Sequence, residues 1–119
     1  MKIETYMGQI DVRDYGDSDE VLFLSTSDEP FAETLKNDIS NRNVTARYWV
    51  TDQQCSQEKA EQVFIQTVMG KADCEFYARY SEITGYLWTD EEIKIGGHDL
   101  LNELKSFNGK WLILVVEVH

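Results

Sequence analysis

The feature that most restricts what this chain can fold into is its last apolar run, Trp111-Leu112-Ile113-Leu114-Val115-Val116. A strand with six apolar residues in succession has no polar face to turn to water, so the run belongs in the middle of a sheet with cover on both sides. A second run, Val21-Leu22-Phe23-Leu24, makes the same demand and reads as a central strand rather than an edge strand. The architecture must therefore be built around a sheet.

Other segments supply partners for these two. Ile3, Thr5 and Met7 alternate, and the phase then shifts to Ile10 and Val12, which predicts a first strand over 2–13 that bends or bulges at Gly8. Asp14-Tyr15-Gly16-Asp17 reads as a turn, so this strand pairs with the Val21 run as an antiparallel hairpin. Ser27-Asp28-Glu29-Pro30 combines a capping side chain, acids for the positive end of the helix dipole and a first-turn proline. A helix over 29–41 follows, with Phe31, Leu35 and Ile39 as its buried stripe. Val44, Ala46, Tyr48 and Val50 alternate as the inward face of a third strand.

Helical spacing returns over 56–69, where Ala60, Phe64 and Val68 fall on one line and Gly70 stands as a C-terminal cap. Cys74, Phe76, Ala78 and Tyr80 alternate as a fourth strand. Tyr86-Leu87-Trp88 and Ile93-Lys94-Ile95 read as short strands on either side of the acidic segment Thr89-Asp90-Glu91-Glu92. Gly96-Gly97 interrupts the chain before a helix over 98–107, and Asn108-Gly109 ends it. The expected fold is a single α+β domain over 1–119, a mixed sheet of about five to six strands packed against three helices, in the order β-β-α-β-α-β-β-hairpin-α-β. Its strand-helix-strand units favour parallel neighbours.

Charge narrows the function classes. The chain carries 22 acidic residues against 11 basic ones, a formal net charge of -11. Nucleic acid and anionic membranes are disfavoured as direct partners, because binding either relies on clustered lysine and arginine. A basic protein partner is favoured instead. No stretch approaches the roughly 20 apolar residues of a membrane span, and the opening residues lack a signal-peptide block, which sets a cytoplasmic expectation. Cys55 and Cys74 fit neither a redox pair nor a zinc-ligand set, and both read as reduced thiols, with Cys74 buried in a strand.

Three groups are candidates for chemistry or recognition. His98 and Asp99 stand at a helix start after two glycines, where a pocket could form, although capping explains Asp99 equally well. Asp14, Asp17, Asp19 and Glu20 are a dense carboxylate group, but they lack the glycine and terminal glutamate of a calcium loop, and no metal or other cofactor is expected. The aromatic residues Tyr77, Tyr80, Tyr86, Trp88 and Trp111 gather around the fourth strand and the short hairpin; core packing accounts for Tyr80 and Trp111. Tyr86 and Trp88, followed by Asp90, Glu91 and Glu92, would make an aromatic patch with an acidic rim, a surface suited to anchoring and steering a basic partner.

No P-loop, GxGxxG, GxSxG or HExxH motif is present. The sequence therefore favours a non-enzymatic acidic binding module of inhibitor, immunity or accessory type, with nucleic-acid mimicry as its sharper form. The alternative is a small enzyme or ligand-binding domain with a pocket around His98 and Asp99. An exposed Trp88 patch would serve a homodimer equally well.

Overall fold

The structure, a computed structural model, describes residues 2–14, 20–52, 66–80 and 87–119. In chain order the elements are β1 (Lys2–Asp14), β2 (Glu20–Leu24), α1 (Phe31–Ile39), β3 (Asn43–Thr51), β4 (Gln66–Tyr80), β5 (Leu87–Ile95), β6 (His98–Asp99), α2 (Leu100–Lys105) and β7 (Trp111–Val118). The strands form one sheet of order β2-β1-β7-β3-β4-β5-β6. Every neighbouring pair is antiparallel.

This corrects the expected α+β arrangement of a mixed sheet with five to six strands and three helices. Among the described residues there are seven strands and two short helices. No strand lies beside a parallel neighbour: β2 and β3 flank α1 in sequence but are separated in the sheet by β1 and β7. The helix expected over 56–69 is contradicted at its end, because 66–69 belong to β4; Cys55 and 56–65 lie outside the described residues. The ambiguity is arithmetic, since a repeat of four residues is a whole multiple of a strand's period of two and also lies close to a helix's 3.6. Val68 holds its place in both patterns. The two short strands expected around 89–92 are one continuous strand, β5.

The final run, β7, lies between β1 and β3, inside the sheet as its composition demands. Leu112, Leu114, Val116 and Val118 alternate onto one face and join Val44, Ala46, Tyr48 and Val50 of β3 in the main core. Phe31, Ala32, Leu35 and Ile39 of α1, with Leu100, Leu101 and Leu104 of α2, fill the same cluster, so both helices occupy one face of the sheet. On the opposite face Trp49 and Ile113 form a second, smaller cluster. Tyr6 links β1 to α1, donating to Asp38 at 2.8 Å and meeting Phe31 edge to face at 5.5 Å.

The phase of β1 differs from the expectation. Tyr6, Ile10 and Val12 face the core without a shift, whereas Ile3 and Met7 lie on the other face, 58% and 38% exposed. Gly8 keeps the inward register, and a Cβ there would come 3.1 to 3.3 Å from Thr26 Oγ1, Leu24 Cβ and Ser25 N. Its glycine permits close crossing of β2 rather than a bulge.

β2 is an edge strand, not the central one its composition suggested. Leu22 and Leu24 enter the main core, and Phe23 on the other face is covered by the Arg13 guanidinium, 4.0 Å above its ring. The sheet curls until β5 reaches back to this edge: Leu22 N donates to Glu91 Oε1 at 3.2 Å. Apolar composition on both faces reports cover, and here the core covers one face and Arg13 of the neighbouring strand the other.

Gly70 likewise has a different role from the helix cap expected of it. It lies within β4 against Gly96 in the β5–β6 turn, where a Cβ on Gly70 would stand 2.6 Å from Gly96 Cα. This backbone contact seats the β5–β6 turn against β4.

Candidate functional site

The register of β4 with β5 assembles an acidic surface. Ala72 and Cys74 face the core, as do Ile93 and Ile95, so Asp73, Glu75 and Tyr77 share the outer face with Asp90, Glu92 and Lys94. Across this face Asp73 lies opposite Lys94, Glu75 opposite Glu92, and Tyr77 opposite Asp90. Tyr77 is 61% exposed and stands beside these carboxylates on the outer face.

The charges are unbalanced. Lys94 Nζ pairs with Glu92 Oε1 at 2.7 Å, which raises the lysine pKa through that hydrogen bond first and the charge second. Asp73, Glu75 and Asp90 make no ion pair with a described residue. Like charges directly opposite on neighbouring strands destabilise a sheet, so the Glu75–Glu92 pair is a local cost to the fold. Beside it opens a cleft of about 430 Å³ whose rim includes Asp73, Glu75, Tyr77 and Asp90, with Lys36 and Asn41 at the α1 end.

Of the residues predicted for recognition, Asp90 and Glu92 lie on this face. Glu91 does not: it points to the inner side, is 1% exposed at its side chain and pairs with Lys105 Nζ at 3.0 Å. Tyr86 and the Trp88 side chain lie outside the described residues, as do Asp17 and Asp19. The sequence reading missed Asp73 and Glu75, although their alternation with Cys74 and Phe76 along one strand marks them as its outward face.

The second constellation surrounds His98. Its Nε2 contacts Glu103 Oε2 of α2, and the other oxygen of Glu103 accepts from the Tyr48 hydroxyl of β3. Gln66 of β4 adds a contact to His98 Nε2 at 3.2 Å. Tyr48 is fully buried, and burial with the Glu103 carboxylate beside it drives its phenol pKa well above the ordinary range. His98 is about one-third exposed, so a polar chain runs from the core to the surface. Asp99 takes no part: it caps α2, accepting from Asn102 N at 3.1 Å and from Asn102 Nδ2 at 2.7 Å. Tyr48 and Glu103 carry no sequence signal as partners of His98, since they meet it only in space.

Two further clefts, of about 290 and 270 Å³, flank Met7. Two of their hydroxyls are used locally: Thr26 donates to Met7 O at 2.7 Å and Ser27 accepts from Glu29 N at 3.1 Å. Cys74 is a buried free thiol with its pKa pushed up to about 12 by burial, aided by Asp73. Such a thiol is a poor nucleophile near neutral pH. Among the described residues, no three histidine, cysteine or acidic side chains gather as metal ligands, and no helix is long and apolar enough to cross a membrane.

Among the described residues the arrangement defines a class by architecture: a curled, antiparallel sheet holding two short helices, with an acidic outer face on one pair of strands. Comparison with protein-family models, curated proteins and solved structures gives no match for the chain.

Proposed function

We propose that the protein is a non-enzymatic, cytoplasmic binding module that engages a basic protein through the outer face of β4 and β5. The observation that carries this reading is Glu75 opposite Glu92 beside an exposed Tyr77. A cationic partner would relieve the like-charge repulsion, the aromatic ring would supply an anchor, and Asp73 and Asp90 would steer the encounter. A nucleic-acid-binding protein is one such partner, with the carboxylates occupying the place of phosphates.

Capture on immobilised protein from a lysate of the native host tests this. A basic protein should be retained, released by rising salt, and absent when Glu75→Lys and Glu92→Lys are combined. Capture that ignores both salt and the charge reversal would sink the proposal.

A second reading, a ligand-binding or enzymatic pocket, is favoured by one observation, the Tyr48–Glu103–His98 chain. A carboxylate on one ring nitrogen orients a histidine and leaves the other nitrogen as the base. Under this reading His98→Ala abolishes a ligand-induced rise in Tm while the circular dichroism spectrum stays unchanged; a ligand response that survives the substitution rules it out.

A further inference from the structure

The edge of β2 has a peculiarity that binding at β4 and β5 does not use. In an antiparallel strand alternate residues turn both backbone groups to the same side. Leu22 N reaches Glu91 and Glu20 O accepts from Lys105 Nζ at 2.7 Å, so the backbone groups of Glu20, Leu22 and Leu24 point away from β1. Leu24 O is taken by Ser27 N at 3.0 Å within the following turn. An ion pair from β5 and α2 thus occupies the place where another strand would bond, and that pair is itself well shielded, with side chains 1% and 17% exposed.

Burying two charges at a sheet edge is a poor way to gain stability, because desolvation offsets most of their attraction. Covering an edge is a recognised defence against strand-to-strand association. We propose that Glu91 and Lys105 guard β2 against pairing with a second copy of this chain. Two copies of β2 are self-complementary about Leu22: antiparallel pairing there sets Leu22 against Leu22, Val21 against Phe23 and Glu20 against Leu24. Each Leu22 N–H would meet the other copy's Leu22 carbonyl. Glu20, at the end of this register, is its one charged side chain, and among the described residues it is Glu91 and Lys105 whose side chains bond to this edge.

The test removes the guard without leaving a lone buried charge. Glu91→Leu combined with Lys105→Met should stay folded and double in mass by light scattering, most clearly at high salt, where repulsion between acidic chains is screened. Adding Glu20→Pro should restore the monomer, since Glu20 is exposed and its N–H points outward, so proline blocks the new seam while sparing the pairing with β1. A folded double variant that remains monomeric overturns the proposal, as does a dimer indifferent to Glu20→Pro. Should the double variant fail to fold, amide exchange on the unaltered protein decides: the guard requires the Leu22 amide to be protected like that of interior Leu114, and rapid exchange at Leu22 refutes it.

Discussion

Glu91 and Glu92 are neighbours with the same charge and opposite surroundings. Glu92 lies on the outer face with Lys94, whereas Glu91 is sealed against Lys105. The alternation of a strand separates them, and a reading that treats 89–92 as one acidic patch overlooks it. At the same scale, three acidic groups, Cys74 and Tyr48 in the core and the half-buried Tyr6 against it, are held protonated chiefly by burial: the thiol rises from 9.0 to about 12, and both phenols move above 10.0. In the unfolded chain these groups lose their protons first, so the unfolded state binds fewer protons above about pH 9 and stability falls as pH rises. Below that pH their contribution is fully present. Thermal melts from pH 8 to pH 11 should therefore show a declining Tm, and Cys74→Ala should flatten the decline; an unchanged slope would show that the thiol does not contribute.

Elements were legible where one periodicity stood alone. The stripe Phe31, Leu35, Ile39 and the alternation Val44, Ala46, Tyr48, Val50 are both observed as read, although the helix runs from Phe31 to Ile39 rather than over 29–41 and starts at Pro30 without a side-chain cap. β4 was obscured because Val68 fits two periods, and β5 because acids interrupt its apolar pattern. The turn between β5 and β6 depends on backbone contact. Gly96 has φ +58, and a Cβ would lie 2.1 Å from Met69 O; Gly97 has φ +85 with open space around it. Gly97→Ala should cost only the left-handed backbone strain, about 1 kcal/mol. Gly96→Ala adds a clash with backbone and should cost clearly more, about 3 kcal/mol or above. Denaturant melts of the two variants compare them directly, and equal losses would argue against the close approach of β4 to this turn.

Across the whole molecule, curvature decides what individual strands become. Because the sheet curls toward its own edge, β2 can lie last in the order and still have its outward backbone N–H at Leu22 bonded. The same curl carries α2 over β3 and lets Glu103 bridge Tyr48 and His98 across 55 and 5 residues of sequence. The acidic face also belongs to this scale: its two strands contribute Asp73 with Glu75 and Asp90 with Glu92, and only their register places the glutamates opposite each other.

The sequence by itself determined that a sheet would organise the core, that the last apolar run would lie inside it, that the first helix would bury Phe31, Leu35 and Ile39, and that the surface would be strongly acidic. These follow from local burial patterns and from charge count, which need no knowledge of neighbours. Only the tertiary structure decided strand order, the antiparallel pairing throughout, the inward turn of Glu91 and the meeting of Tyr48, Glu103 and His98. Each of those depends on register and curvature, and both arise from contacts between residues far apart in the chain, which a one-dimensional pattern does not encode.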